Sequence, residues 1–160
     1  MTDAEPFPRY PFASVVPHTG AMVLLDQVDY WDEEQLQASV TIRPDAPFVE
    51  AQGMPAWIGI ELMAQSIAAL AGCRARRAQQ PVRIGFLVGS RRYSASCANF
   101  PLAAQLQVQV KEIVTGDLGL SVFECRLQGT GAHSDISASA NINVFQPEDP
   151  EQFLAAGQAG

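Results

Sequence analysis

Two hydrophobic periods alternate along this chain. Residues 22–31 are mostly apolar, with Asp26 and Asp29 as interruptions, and residues 35–42 alternate strictly, with Leu36, Ala38, Val40 and Ile42 on one face. A period of two sets one face on a core and the other in water, so both segments read as strands, joined by the turn Asp32-Glu-Glu34. The period then changes. Pro55-Ala-Trp-Ile-Gly-Ile-Glu-Leu-Met-Ala-Gln-Ser-Ile-Ala-Ala-Leu-Ala-Gly72 is apolar almost all the way round, which predicts a buried helix rather than an amphipathic surface one. Its length and the breaks at Gly59 and Glu61 speak against a membrane span. Pro55 suits the first turn and Gly72 a stop, with arginines beyond it complementing the negative end of the helix dipole. Strand character returns at residues 82–94, where Gly85 and Gly89 suggest a bulge or a close backbone approach. Three further strands are expected at residues 104–115, 118–128 and 133–145, with hairpin turns at Thr115-Gly-Asp117 and Gly129-Thr-Gly131. Residues 11–16 fit a short helical turn closed by Pro17.

Two strands, one long helix and four consecutive strands imply an α+β fold, an antiparallel sheet curled around one central helix. At 160 residues and 48% hydrophobic the chain suits a single domain with a sizeable core. That domain is expected over residues 11–145, between a polar, loosely held arm (residues 1–10) and a Pro-, Ala- and Gly-rich frayed tail (146–160). A net charge of −7 argues against nucleic acid as a partner. The charge is uneven, however. No acidic residue lies between Glu61 and Glu112, and Arg74, Arg76, Arg77, Arg83, Arg91 and Arg92 all fall there. This window reads either as solvated helix end and strand edge or as a docking patch for an anionic partner. Cys73, Cys97 and Cys125 lack metal-ligand or disulfide spacing and fit a reducing compartment. With no secretory pattern at the N-terminus, a cytoplasmic protein is expected.

Glu61 and Gln65 interrupt the apolar helix four residues apart and so share a face. A carboxylate there is costly unless it is paired, protonated or used in chemistry.

These motifs resemble the hotdog-fold 3-hydroxyacyl-acyl-carrier-protein dehydratases of the FabA/FabZ type. Val16-Pro-His-Thr-Gly-Ala-Met-Val-Leu-Leu-Asp26 is similar to that family's opening Leu-Pro-His-Arg-x-Pro-φ-Leu-Leu-φ-Asp, where φ is apolar. Ile60-Glu-Leu-Met-Ala-Gln65 is similar to its helix signature Leu/Ile-Glu-x-Met-Ala-Gln, and Phe100-Pro-Leu falls where the family has a short Pro-containing turn. The variant Pro55-Ala-Trp-Ile-Gly-Ile-Glu-Leu-Met-Ala-Gln65 looks closest to the divergent dehydratase-like proteins of aryl polyene biosynthesis.

The resemblance implies a dehydratase acting on 3-hydroxyacyl thioesters that an acyl carrier protein delivers on phosphopantetheine, with no metal and no other cofactor. It implies a homodimer or a heterodimer with another hotdog subunit. The family's catalytic acid carries over to Glu61, expected to be buried among Trp57, Ile60, Met63 and Ala64; the bland alternative is that Glu61 merely pairs with a backbone amide or an Arg. The family's loop histidine does not carry over, because Pro47-Phe-Val-Glu-Ala-Gln-Gly-Met-Pro55 has none. His18 is the candidate to take its place beside Glu61, a capping or packing role being its alternative. His133, opening the last strand, is expected to be exposed.

Amides at the helix start, Ala56, Trp57 and Ile58, suit a thioester oxygen. Gln65 suits a hydrogen bond within the site or to the dimer mate. Gly85 and Phe86 suit the wall of an acyl tunnel or, more plainly, strand core with a bulge. Arg74, Arg76, Arg77, Arg91 and Arg92 would dock the carrier. Two other readings stay open: a non-catalytic or half-site subunit of a heteromeric dehydratase, favoured by the missing loop histidine, and an acyl thioesterase.

Overall fold

The computed structural model describes residues 7–81 and 86–146. Strands β1 (Gln27–Trp31) and β2 (Gln35–Thr41) form the first hairpin. Asp32 closes it, its Oδ1 accepting the amides of Glu34 (2.9 Å) and Gln35 (3.1 Å). Short β3 (Met54–Pro55) leads through a 3-10 turn, Ala56–Ile58, into helix α1 (Gly59–Arg77). Then follow β4 (Phe86–Ala95), short β5 (Asn99–Phe100), β6 (Gln105–Thr115), β7 (Leu120–Gly129) and β8 (Ser137–Phe145). The order β1-β2-β6-β7-β8-β4 is antiparallel at every pair, and β3 pairs with β5 beside the helix start. The expected α+β plan, one long helix in a curled antiparallel sheet, is the one observed.

Binary pattern explains the wrap. Leu36, Ala38 and Val40 on β2, and Leu106, Val108 and Val110 on β6, all face inward and are buried. They meet Leu62, Met63, Leu70 and Cys73 of α1, each 0% exposed. Burying each such aliphatic side chain is worth about 2 kcal/mol. By length and mean hydropathy (1.4) the run Ala56–Arg77 is apolar enough to cross a membrane, contrary to the expectation from Gly59 and Glu61. Yet 67% of that window is buried inside the fold, so the core accounts for its apolar character.

Several boundaries differ from the periodicity, each for a local reason. The strand expected over residues 22–31 begins only at Gln27, after a 3-10 turn at Gly20–Met22. The Met22 carbonyl and the Leu24 amide are bonded to Gln65 of the helix instead of to a neighbouring strand. Gly72 does not stop the helix. It lies within α1, where a Cβ would overlap the Val15 carbonyl oxygen, so glycine lets the segment around 15 lie against the helix. The stop comes at Arg77, with Gln79 in the left-handed region (φ 56), and Gln80 N–H donates to the Ala75 carbonyl (2.8 Å) and Gln79 N–H to Arg76 (3.1 Å). These two bonds are the Schellman pattern, made here without glycine.

The strand expected over 118–128 starts at Leu120, because Leu118 sits in a turn at φ 63 and is 91% exposed. The strand expected from His133 starts at Ser137; His133 is half-buried in a 3-10 turn, Gly131–His133. Of the strand expected over 82–94, residues 82–85 lie outside the described residues, and β4 slips register between Leu87 and Gly89, where a bulge was expected. The arm is not loose from Phe7 onward. Phe7 meets Trp31 edge-on at 5.0 Å, the Trp31 indole N–H donates to the Pro8 carbonyl (2.6 Å), and Tyr10 lies 6.2 Å from Trp31.

Candidate active site

One stripe of α1 is not covered by the sheet. Glu61, Ala64, Ala68 and Ala71 are half-exposed at spacings of three and four, so they lie in a row along one face. Opposite this row stand Ser121 and Phe123 of β7 and Val144 of β8, and between them runs a cavity of about 250 Å³. Alanine at three successive turns is what leaves it empty. A helix apolar on every side is explained by this: one face packs the core and the other lines the cavity.

His18 and Glu61 share the cavity, with His18 Nε2 3.5 Å from Glu61 Oε1. Gln65 connects the two motifs that carry them. Fully buried, it accepts the Leu24 amide on Oε1 (3.0 Å) and donates through Nε2 to the Met22 carbonyl (2.7 Å) and to Glu61 Oε1 (3.1 Å). It thus ties down the segment bearing His18 and holds the carboxylate on the helix in one pose. Both contacts fall on Oε1, and Oε2 has no protein partner among the described residues. His18 Nδ1 is likewise buried, with no partner among the described residues. Glu61 is not enclosed as expected: its side chain is 40% exposed, that of His18 27%, and neighbouring Trp57 is 66% exposed.

The helix start differs in detail from the expectation of three free amides. Ala56 N–H is committed to the Ala98 carbonyl (2.9 Å), which removes it from the candidate donors. Trp57 is the second residue of the turn, where amides lack an intrahelical acceptor, and Gly59 N–H already bonds back to Ala56 and Trp57. Behind the turn the Tyr93 hydroxyl donates to the Ala56 carbonyl, in space that only a glycine at 59 leaves, since a Cβ there would meet that hydroxyl. Burial, with the nearby Cys97, pushes the Tyr93 phenol up to about 12, so it stays a neutral donor. The loop where the family histidine would stand is a tight turn, Glu50 and Gly53 exchanging N–H···O bonds of 2.9 and 3.0 Å. Gly53 (φ 111) is pressed against the Phe100 carbonyl.

The expected docking arginines divide. Arg74 donates to Glu112 (3.3 Å) and to the Glu33 carbonyl. Arg76 donates to Ser14 (2.8 Å) and covers the Tyr10 ring at 4.4 Å, and Arg77 pairs with Glu33 (2.6 Å) and covers Phe7 at 4.3 Å. Arg76 and Arg77 clamp the arm to the helix end and Arg74 ties that end to β6 and the β1–β2 turn, so the three are engaged within the chain and are not the free anion patch expected. Arg91 and Arg92 are exposed on the edge strand β4, with Arg92 at φ 58 in a second register slip. Gly85 lies outside the described residues; Phe86 is placed on β4 by its backbone alone. Sequence reasoning missed the alanine row, although its three-and-four spacing from Glu61 was the available signal. It also missed the pairing of Arg74 with Glu112, which no local pattern announces.

A family profile described as ApeP-like, ApeP dehydratase, matches residues 10–155. A search of curated protein sequences finds no match. Among solved structures, the dehydratase heterocomplex ApeI:P from Xenorhabdus doucetiae is similar over 92% of this chain and 97% of its own, at TM-score 0.80 and 24% identity. A hypothetical thioesterase protein from Streptococcus pneumoniae, solved with coenzyme A, is similar over 75% of this chain and 84% of its own, at TM-score 0.59 and 9% identity. The PaaI protein of the E. coli phenylacetic acid degradation operon is similar over 74% and 80%, at TM-score 0.58 and 9% identity. At these identities the structural matches establish the fold, which is the hotdog.

Proposed function

The chain belongs to the ApeP-like dehydratase family of aryl polyene biosynthesis, and from that premise we propose that His18 and Glu61 form the acid–base pair that dehydrates carrier-bound 3-hydroxyacyl thioesters. The observation that carries this reading is the 3.5 Å approach of His18 Nε2 to Glu61 Oε1 at an apolar cavity. His18 takes a proton from C2 of the acyl chain. The C3–O bond breaks, the electron pair left at C2 becomes the C2–C3 double bond, and Glu61 gives its proton to the departing hydroxyl, which leaves as water. The cycle closes when the proton on His18 passes to Glu61 across the short gap between them. The Trp57 amide at the helix start is the donor for the thioester oxygen as it gains negative charge. Exposed Arg91 and Arg92 are the groups left to meet an acidic carrier protein.

A second hotdog subunit is the partner this reading calls for. Trp57 at the helix start (66% exposed) and Phe48 in the loop before it (44%) leave large apolar side chains uncovered, and that loop carries no histidine of its own. The test is turnover of a 3-hydroxyacyl carrier thioester followed by mass, with the chain alone and with a second hotdog dehydratase subunit. Enoyl product that is lost in both Glu61→Gln and His18→Asn supports the pair. Undiminished turnover in both variants of the complex overturns it and makes the chain a supporting subunit. Free acid as the product identifies a thioesterase instead.

A further inference from the structure

Strand β4 changes face partway along. Ser90 stands opposite buried Ile142 and Ala95 opposite buried Ala138, five residues apart, an odd count that regular alternation cannot place on one face. The extra residue lies between Arg91 and Ser94, where three steps on β4 match two on β8, and Arg92 takes it up at φ 58. Such a bulge reverses inside and outside for everything after it. Arg91 stays exposed opposite Asn141, whereas Tyr93, Ala95 and Cys97 pack against the core. A regular strand would have sent Tyr93 outward with Arg91.

The bulge aims the Tyr93 hydroxyl at the Ala56 carbonyl, to which it donates, in the space left by glycine at 59. That carbonyl and the Trp57 N–H belong to one peptide unit. The Ala56 oxygen also accepts the Gly59 N–H, so both of its lone pairs are engaged. On the other side the Ala56 N–H is held by the Ala98 carbonyl (2.9 Å). Tyr93 and the segment that follows it therefore fix the peptide just ahead of Trp57. A bond accepted at a carbonyl draws charge toward the oxygen and makes the N–H of the same unit a stronger donor.

We propose that Tyr93 is a positioning residue for the reaction: its hydroxyl fixes and polarises the Ala56–Trp57 peptide, whose N–H meets the thioester oxygen. This rests on the dehydratase reading for the role of the Trp57 amide. The hydroxyl acts through that peptide and not on the substrate. Its effect is greatest when the thioester oxygen carries negative charge, because a neutral oxygen gains little from a stronger donor. It is therefore read in kcat and not in KM. Burial pushes the phenol up to about 12, so the hydroxyl keeps its proton near neutral pH and the donation does not switch off there.

The test uses the full-length chain with its hotdog partner and a 3-hydroxyacyl carrier thioester. Tyr93→Phe should lower kcat about tenfold, less than the loss of a whole oxyanion donor, and leave KM within about twofold. In the isotope-labelled chain the Trp57 amide proton resonance should move upfield. A tyrosine with fluorine beside the hydroxyl, installed at position 93 alone, is a stronger donor of nearly the same shape. It should move that resonance downfield and raise kcat, and it serves if Tyr93→Phe does not fold. A side chain that only filled space would not follow donor strength in this way. Undiminished kcat in Tyr93→Phe, a change of the same sign in both substitutions, or a Trp57 resonance that ignores them overturns the proposal. Turnover that survives Glu61→Gln sinks the dehydratase reading and this role with it, whereas turnover lost in Glu61→Gln but unchanged in Tyr93→Phe sinks only the positioning role.

Discussion

Gln65 offers the sharpest test of how the two motifs are joined. Gln65→Ala removes the acceptor of the Leu24 amide and the donor to the Met22 carbonyl and Glu61. Leu24 is 7% exposed, so its amide is left buried without a partner, at a cost of about 1–3 kcal/mol. Met22 is 47% exposed and can return its carbonyl to water, so its bond is lost only at net value, about 0.5–1.5 kcal/mol. The sum, roughly 2–4 kcal/mol, corresponds to a Tm lower by roughly 5–15 °C for a chain of this length. Urea unfolding gives the free energy, and native-state hydrogen exchange gives the site: the Leu24 amide should lose its protection while core amides of β6 and β7 fall only with global stability. Gln65→Leu fills the volume but still strands Leu24, so it should show the same local loss of protection with a smaller global cost. In the active complex both variants should slow turnover by about 10- to 100-fold, the penalty of a misplaced acid–base pair. A stability change below about 0.5 kcal/mol with Leu24 still protected would refute the reasoning.

Two further expectations follow from packing and burial. Gly72→Ala gains up to about 1 kcal/mol of helix propensity but puts a Cβ into the Val15 carbonyl, and since backbone blocks it, a net loss of about 1–2 kcal/mol should appear in chemical denaturation; a variant as stable as the wild type would show that the segment around 15 yields freely. Burial pushes the thiols of Cys73 and Cys125 up to about 12, so at pH 8 only roughly one in ten thousand of either is thiolate, and a thiol reagent should modify Cys97 alone until the protein is denatured.

Local pattern and tertiary contact divided the labour here in a way the residues make plain. The period-two strands and the all-round apolar helix were legible because each buried side of an element writes its own periodicity into neighbouring positions. Where the pattern misled, a long-range contact had overruled it. The apolar residues 23–25 look like strand, yet the Leu24 amide is bonded to a helix residue forty-one positions away. Gly72 looks like a stop, yet its bare Cα serves a close approach to Val15. The arginines at 74, 76 and 77 look like a patch, yet Glu112, Ser14, Tyr10, Glu33 and Phe7 take them up.

By itself, then, the sequence determined the element order, the α+β class, the candidate acid at Glu61 and the absence of a histidine from the loop before the helix. Each of these depends on residue type or on spacing along one element. The tertiary structure decided that His18 lies 3.5 Å from Glu61, that Gln65 holds both motifs, and that an alanine row opens a cavity between the helix and strands β7 and β8. Those are distances between elements, and such distances follow from how the curled sheet closes on the helix, which no local period encodes.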